Sequence, residues 1–144
     1  MREPDWNTVT EDQLWKYVGW HLAKHGIDSF LVGGAVVSIY SEGAYRSGDL
    51  DLITYEIVYG DVVKVMGTLG FKKSGMSFIH PKCKHLYVQL VQGPPGIGDD
   101  LDIKPGVVKI EGKSLKIYSP TDCIRDRLSS YIHFRARDCF DHVV

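Results

Sequence analysis

A glycine turn followed by a short helix and an acidic strand constrains the fold of this chain more than any other feature. An apolar run ends at Gly33-Gly34, and a second short apolar run follows at once. This pattern predicts a buried strand that turns directly into a short helix. Gly43 would end that helix, after which the chain returns as a strand that carries Asp49 and Asp51. Because consecutive elements usually lie side by side, the glycine turn and the two carboxylates are expected to converge.

Asp49 and Asp51 are expected to share one face of their strand. Side chains alternate with period two, so Leu50 and Leu52 point to the other face. At a rise of about 3.3 Å per residue, the two Asp Cβ atoms would lie roughly 7 Å apart. That separation suits one hard cation, or two cations about 4 Å apart. Oxygen ligands favour Mg²⁺ or Mn²⁺ over zinc. An isolated Asp-x-Asp pair is more often part of a turn or an exposed strand edge, and it is the glycine turn nearby that favours a metal site.

Gly33 and Gly34 would let the backbone approach a ligand closely, and the free N–H groups at the start of the next helix suit a phosphate. A tight strand-to-helix turn also needs glycine where no ligand binds, so the turn alone does not decide. Arg46, just before the acidic strand, is within reach of a triphosphate, but it is equally well explained as an ion-pair partner of Glu42. Ser47 is a further candidate phosphate ligand.

The rest of the sequence predicts a mixed sheet with helices, not a doubly wound parallel sheet. Thr10 to Gln13 has the pattern of a capping box that opens a helix ending at Gly26. Ser119 is the expected N-cap of the last helix, with Pro120 in its first turn. Between them the pattern predicts a helix over 56–69, strands over 71–74, 77–80 and 86–91, and a hairpin over 107–110 and 115–118.

Composition favours one compact domain over 1–144, with an N-terminal helix (1–26), a sheet that carries the site (27–118) and C-terminal helices (119–144). Lys plus Arg (17) nearly balances Asp plus Glu (18), which predicts no general attraction to polyanions. Three cysteines, no long apolar span and no signal segment favour a cytoplasmic protein with free thiols and no membrane partner.

The glycine turn and the acid pair together resemble the signature of the polymerase-β-like nucleotidyltransferase superfamily, which is Gly-Gly or Gly-Ser, a short helix and then Asp-hydrophobic-Asp. The matching segments here are Val32-Gly33-Gly34-Ala35-Val36-Val37 and Tyr45-Arg46-Ser47-Gly48-Asp49-Leu50-Asp51-Leu52. The chain is most similar to small bacterial nucleotidyltransferases that include toxins of toxin–antitoxin and abortive-infection modules. Two further motifs carry that likeness, a Gly-Pro-rich loop within 87–98 and the Pro-Thr-Asp-x-x-x-Asp-Arg-Leu helix start at 120–128. The likeness spans about 27–134.

The resemblance implies an α+β nucleotidyltransferase fold, a mixed β-sheet flanked by helices. It implies transfer of a nucleoside monophosphate from an NTP such as ATP to a hydroxyl of tRNA or protein, with an antitoxin as a possible partner. Asp49 and Asp51 would hold Mg²⁺ or Mn²⁺ and act in catalysis, while the nucleotide would be bound by Gly33, Gly34, Arg46 and Ser47.

Gln89 stands where the resemblance places a third catalytic carboxylate. An amide oxygen can ligate Mg²⁺, but it brings no charge and cannot act as a base. Asp99, Asp100 or Asp102 could substitute only from a loop. Two alternatives therefore stay open. One is a weakened domain that binds nucleotide or a protein partner, and the other is a nucleotidyltransferase for a small molecule of the aminoglycoside type.

Several other clusters have simpler explanations. His80, Cys83 and His85 could suggest zinc, but a hairpin turn accounts for them. Buried packing is the expected role of Cys123, Cys139, Trp6, Trp15 and Trp20. A solvated helix face is favoured over an acceptor surface for Arg125, Arg127, Arg135, Arg137 and Lys104. A homodimer is suggested by the apolar end, Cys139, Phe140, Val143 and Val144.

Overall fold

A computed structural model describes residues 1–54, 59–91 and 103–134. The described part forms helices around one β-sheet. In chain order, the elements are α1 (Glu11–Lys24), β1 (Ser29–Val32), α2 (Gly34–Tyr40), β2 (Asp49–Thr54), α3 (Tyr59–Thr68), β3 (Lys72–Ser74), β4 (Ser77–Ile79), β5 (Tyr87–Leu90), β6 (Gly106–Ile110), β7 (Lys113–Ile117) and α4 (Pro120–Phe134).

The sheet is mixed, as the sequence predicts. Its seven strands lie in the order β3-β4-β5-β2-β1-β7-β6. Strand β1 pairs antiparallel with β2 and parallel with β7, and β2 pairs parallel with β5. The remaining neighbours, β3–β4, β4–β5 and β6–β7, are antiparallel. The two central strands are therefore β1, which leads into the glycine turn, and β2, which carries the acid pair.

Local sequence signals explain where several elements begin and end. Gln13 N–H donates to Thr10 Oγ1 over 3.2 Å, and Thr10 N–H donates to the Gln13 side chain over 3.1 Å. This confirms the capping box at the start of α1. Asp122 N–H donates to Ser119 Oγ over 3.1 Å, which confirms Ser119 as the N-cap of α4.

The core lies between α1 and one face of the sheet. Leu14, Trp15, Val18 and Leu22 of α1 are buried, with a spacing that places them on one side of the helix. Burying one such side chain contributes roughly 1.5–3 kcal/mol before the entropy of ordering the chain is subtracted. On the sheet the buried face is made by Leu50, Leu52, Val88, Leu90 and Phe78.

Trp6 is buried, as predicted, although it lies before α1 and not within the helix. Its ring stacks on His80 with 3.8 Å between centroids, so the segment before α1 packs on the β4–β5 side of the sheet. Trp15 is buried in α1 as expected, and Trp20 is partly exposed, with its indole N–H donating to the Glu111 carbonyl.

Some sequence predictions fall outside the described residues. These are the Gly-Pro-rich loop with Asp99, Asp100 and Asp102, and the C-terminal residues Arg135, Arg137, Cys139, Phe140, Val143 and Val144. Within the described ranges, no helix is both long enough and apolar enough to cross a membrane.

Candidate active site

The acid pair lies at the centre of the sheet, beside the glycine turn. Strand β2 alternates as predicted, so that Leu50 and Leu52 are fully buried while Asp49 and Asp51 are partly exposed on the other face. Val32 of β1 pairs with Asp51. Because Gly33 directly follows Val32, the structure brings the glycine turn against the second carboxylate.

Position 33 requires glycine for two reasons, its backbone conformation and the space around its Cα. Its φ of +77° and ψ of −160° lie in a region that L side chains rarely adopt. A Cβ added there would lie 2.5 Å from Asp51 Oδ2, well inside van der Waals contact. The next residue, Gly34, is also closely packed, since a Cβ there would lie 3.3 Å from the Ser47 Cβ. The turn therefore fits between Asp51 and the segment that precedes β2.

Strand β5 places two side chains next to the acids. The parallel register pairs Asp49 with Tyr87 and Asp51 with Gln89. Gln89 therefore occupies the neighbouring strand position where the resemblance implies a third carboxylate. The Tyr87 hydroxyl donates a hydrogen bond to Asp49, and the negative charge of Asp49 raises the pKa of Tyr87. The Tyr87 phenol stays neutral and thus holds the Asp49 carboxylate in place without adding a further negative charge.

Burial and mutual repulsion perturb both acids. Burial, followed by the negative charge of Asp49, raises the pKa of Asp51 to about 7. Burial also raises the pKa of Asp49, although hydrogen bonds from Asp51 and Tyr87 and the positive charge of Arg127 partly offset it. Asp51 Oδ1 is buried and has no hydrogen-bond partner among the described residues. An unpartnered carboxylate oxygen of Asp51, next to the second acid Asp49, fits a divalent cation, which would replace the proton that the two acids share in its absence.

Arg127 connects α4 with this site through its charge. It forms an ion pair with its neighbour Asp126 and lowers the pKa of both acids, Asp49 and Asp51. Arg125 pairs with Asp122 over 2.9 Å. The predicted solvated helix face is therefore found for Arg125, but it is wrong for Arg127, whose side chain is only 15% exposed and faces the acid pair.

Glu11 is the residue of this region that sequence reasoning missed. It is fully buried and accepts hydrogen bonds from Ser38 Oγ (2.6 Å), Arg46 Nε (2.9 Å) and the Ser47 N–H (3.1 Å). Burial raises the pKa of Glu11, but these donors outweigh it, so that the pKa lies below its ordinary value. The sequence offered no signal, because an acid in the first turn of a helix is common for reasons of the helix dipole alone.

Arg46 and Ser47 are held by Glu11 in this structure. The ion-pair partner of Arg46 is Glu11, not Glu42 as the sequence suggested. About half of the Arg46 side chain remains exposed, beside a surface cavity of about 330 Å³ that neither Asp49 nor Asp51 lines. Ser47 Oγ donates to the Asp49 carbonyl over 2.7 Å. Contact of Arg46 and Ser47 with a nucleotide stays a prediction.

The His and Cys residues of the β4–β5 connection serve packing. His80 stacks on Trp6 and accepts from the Lys82 N–H, whereas the His85 ring lies 2.7 Å from the Val9 carbonyl. Across the described part of the chain, no three side chains of His, Cys, Asp or Glu converge as a metal cluster, which leaves the acid pair with the amide of Gln89. Burial raises the pKa of Cys123 to about 11, as expected for a packing residue.

No family model and no curated protein sequence matches this chain. Three solved structures are similar to it. One is an antigenic nucleotidyltransferase-like protein from Paracoccidioides brasiliensis (17% identity, TM-score 0.66, 92% of this chain and 73% of that one). The others are the antibiotic-resistance factor ANT(2'')-Ia in solution (12%, 0.55, 90% and 78%) and ANT(2'')-Ia in complex with adenylyl-2''-tobramycin (10%, 0.55, 90% and 83%).

The chain has a nucleotidyltransferase-like fold. At these identities the likeness concerns the arrangement of the elements and assigns no role to a residue. The roles of Asp49, Asp51 and Gln89 depend on the geometry described above.

Proposed function

We propose that this chain transfers a nucleoside monophosphate from an NTP to a hydroxyl group, with Mg²⁺ or Mn²⁺ held by Asp49 and Asp51. The observation that carries the proposal is the partly buried acid pair, with the unpartnered Asp51 Oδ1 and with Gly33 packed against Asp51 Oδ2. The nucleotidyltransferase-like fold supports it, as does the adenylyl-2''-tobramycin in one neighbour, a compound in which an acceptor carries a nucleotide.

Each residue at the site has a task in this reaction. Asp49 and Asp51 hold the cation, which when bound neutralises charge on the phosphates and orients them. The Tyr87 hydroxyl fixes Asp49, and the Gly33-Gly34 turn lets a phosphate approach the backbone. Arg127 adds positive charge from α4.

The proposed reaction exchanges one phosphorus–oxygen bond for another. The acceptor oxygen bonds to the α-phosphorus, the bond from that phosphorus to the pyrophosphate oxygen breaks, and pyrophosphate leaves. Gln89 cannot accept a proton, so the hydroxyl proton would pass to the carboxylate of Asp51, whose pKa is raised to about 7, and from there to solvent. The acceptor we propose is a hydroxyl of tRNA or protein, as in a toxin-like minimal nucleotidyltransferase of a bacterial cytoplasm with an antitoxin partner.

The Gln89 position favours a second candidate. Because an amide next to Asp51 brings no charge, the site has two carboxylates where the resemblance implies three. A chain of this kind could bind a metal–nucleotide complex without turning it over, and would then act by sensing nucleotide or by binding a protein.

Label transfer separates the two candidates. Each of four α-labelled NTPs is incubated with the chain, Mg²⁺ or Mn²⁺, and total tRNA or cell protein. If the chain is an enzyme, the native chain transfers label. Asp49→Asn and Asp51→Asn should lower this activity more than about a hundredfold, because the loss of a residue that only orients a metal ligand already lowers activity about 10- to 100-fold. Asp61→Asn, at the exposed start of α3, is the control and should keep its activity.

The Gln89→Glu variant tests the second candidate, a domain that binds nucleotide without turning it over. Label that appears only in this variant would identify a disabled catalyst whose present role is binding. Label that persists in Asp51→Asn would contradict the proposed site, provided that thermal unfolding shows each variant to be folded.

A further inference from the structure

The face of the sheet that carries the acid pair continues across three more strands, and among the described residues it stays partly exposed. Strand β5 pairs with β2, β4 with β5, and β3 with β4, in registers that align side chains of the same face. Two rows result. The second row is Asp51, Gln89, Ser77 and Ser74. The first is Asp49, Tyr87, Ile79 and Lys72, where Ile79 comes opposite Tyr87 when the register of Phe78 with Val88 is continued by one residue.

The first row contains exposed apolar surface directly beside the acids. Tyr87 is 38% exposed and Ile79 is 46% exposed. On the opposite face of the same strands, Val88 and Phe78 are fully buried against the core. An aromatic ring and a branched side chain that remain in solvent next to a reactive centre offer a flat surface on which a planar group can lie.

The same half of the sheet is basic, although the whole chain is nearly neutral. No Asp or Glu occurs between Asp61 and Asp99, an interval that contains Lys64, Lys72, Lys73, Lys82 and Lys84. The formal net charge of the whole chain is −1. Lys82 shares a surface cavity with Glu3 and Asp5, which balance it. Lys72 ends the row that starts at Asp49, so its charge faces the same surface as Tyr87 and Ile79.

We propose that this face is the acceptor site and that the acceptor is the end of a single-stranded nucleic acid. The terminal base lies on Tyr87 and Ile79, its hydroxyl faces Asp49 and Asp51, and a phosphate further along the strand contacts Lys72. With strands about 4.8 Å apart, Lys72 Cα lies roughly 14 Å from Asp49 Cα, which suits a short stretch of nucleotides. Base-on-aromatic stacking next to a cation is the usual way in which single strands are bound without sequence preference.

Charge distinguishes the two classes of acceptor along this row. A polycationic aminoglycoside would be attracted by Asp49 and Asp51 at one end but would gain nothing from Lys72 at the other. A nucleic acid gains from the same lysine. This inference rests on the proposed nucleotidyl transfer for its meaning, but the surface can be tested by binding alone.

The experiment is fluorescence anisotropy of the full chain with a labelled 12-nucleotide single-stranded RNA and with the DNA of the same sequence. Tyr87→Ala is expected to weaken binding about tenfold, because stacking on one aromatic side chain contributes about that much. Tyr87→Phe keeps the ring and should stay within about twofold of the native affinity. Lys72→Glu should weaken binding, whereas Lys109→Glu, an exposed lysine on the far edge strand β6, should not.

The outcomes separate the two proposals. Binding of NTP and Mg²⁺, which thermal shift measures on the same protein samples, tests the donor site. If the NTP binds but the oligonucleotides do not, or bind equally well to all variants, the acceptor inference is overturned and nucleotidyl transfer stands. Tobramycin that binds the native chain and loses affinity in Tyr87→Ala would overturn it too, because the same platform would then hold a small-molecule acceptor. If the oligonucleotides bind as expected but no NTP binds, the nucleic-acid surface stands and the proposed transfer fails.

Discussion

At the scale of single residues, the sequence predicted where Asp49, Asp51 and Gly33 lie, because local geometry decides their placement, whereas their roles stay predictions. The alternation of β2 was enough to put Asp49 and Asp51 on one face, and the return of the chain put Gly33 beside them. The burial of Glu11 was not predicted, because it depends on Ser38, Arg46 and Ser47, which lie 27 to 36 residues away along the chain. No periodicity in the sequence encodes contacts of that range.

Gly33→Ala tests the closeness of the turn to Asp51. The substitution is expected to lower the free energy of unfolding by about 2 kcal/mol or more, since backbone conformations reserved for glycine cost about 1–3 kcal/mol and the new Cβ meets Asp51 Oδ2. Gly26→Ala is the matched control, because Gly26 has the same φ of +77° but open space around it. Urea unfolding with and without Mg²⁺ measures both effects.

The two glycine variants should differ in their response to metal. If Asp49 and Asp51 bind Mg²⁺ as proposed, Mg²⁺ is expected to stabilise the native chain and Gly26→Ala equally. Gly33→Ala is expected to lose most of this stabilisation, because the displaced Asp51 no longer presents its oxygens. Equal losses of stability and equal responses to Mg²⁺ would mean that the turn does not support the acids.

At the scale of elements, capping and turn residues predicted where helices and hairpins begin and end, whereas the order of the strands in the sheet could not be predicted. The capping box of α1, the N-cap of α4 and the β6–β7 hairpin follow from residues close in sequence, and Glu111 and Gly112 both have the positive φ that such a tight turn needs. The central position of β1 did not follow from the sequence. Its partner β7 lies more than 80 residues away, and only the completed sheet fixes that pairing.

Glu11 fastens α1 to the segment that leads into β2, and this contact should be sensitive to acid. Because the pKa of Glu11 is lower in the folded chain than its ordinary 4.5, the carboxylate stabilises the fold above that pH, and the contribution is lost as pH falls through the folded pKa. Glu11→Gln should therefore lower the free energy of unfolding by about 1–3 kcal/mol at pH 7. The difference from the native chain should shrink below pH 4.5.

Asp12→Asn provides the control at the same helix end. Asp12 pairs with Lys16 on the surface, so its loss should cost less than about 1 kcal/mol. Denaturant unfolding of the three chains between pH 3 and pH 7 gives the comparison. A Glu11→Gln deficit that stays constant over this range would show that the charge of Glu11 does not hold the segment.

At the scale of the whole molecule, charge is distributed unevenly, and this decides how strongly salt should act. The half of the sheet from β3 to β5 is basic, whereas the formal net charge of the chain is only −1. Total charge therefore gives no hint of the surface, and the sequence alone predicted no attraction to polyanions. The register of β3, β4 and β5 was needed to bring Lys72 into one row with Tyr87 and Asp49.

The salt dependence of oligonucleotide binding follows from that distribution. Each phosphate that a lysine neutralises contributes about −0.7 to the slope of log K against log salt for a single strand. One contact from Lys72 therefore predicts a slope of about −0.7, and each further lysine that reaches a phosphate would add about the same amount. Lys72→Ala should make the slope shallower by about 0.7, and Lys109→Ala should leave it unchanged. Titrations between 50 and 300 mM KCl measure it. A slope near zero would leave stacking as the sole attraction, and a slope far steeper would require a larger basic surface than the row through Lys72 provides.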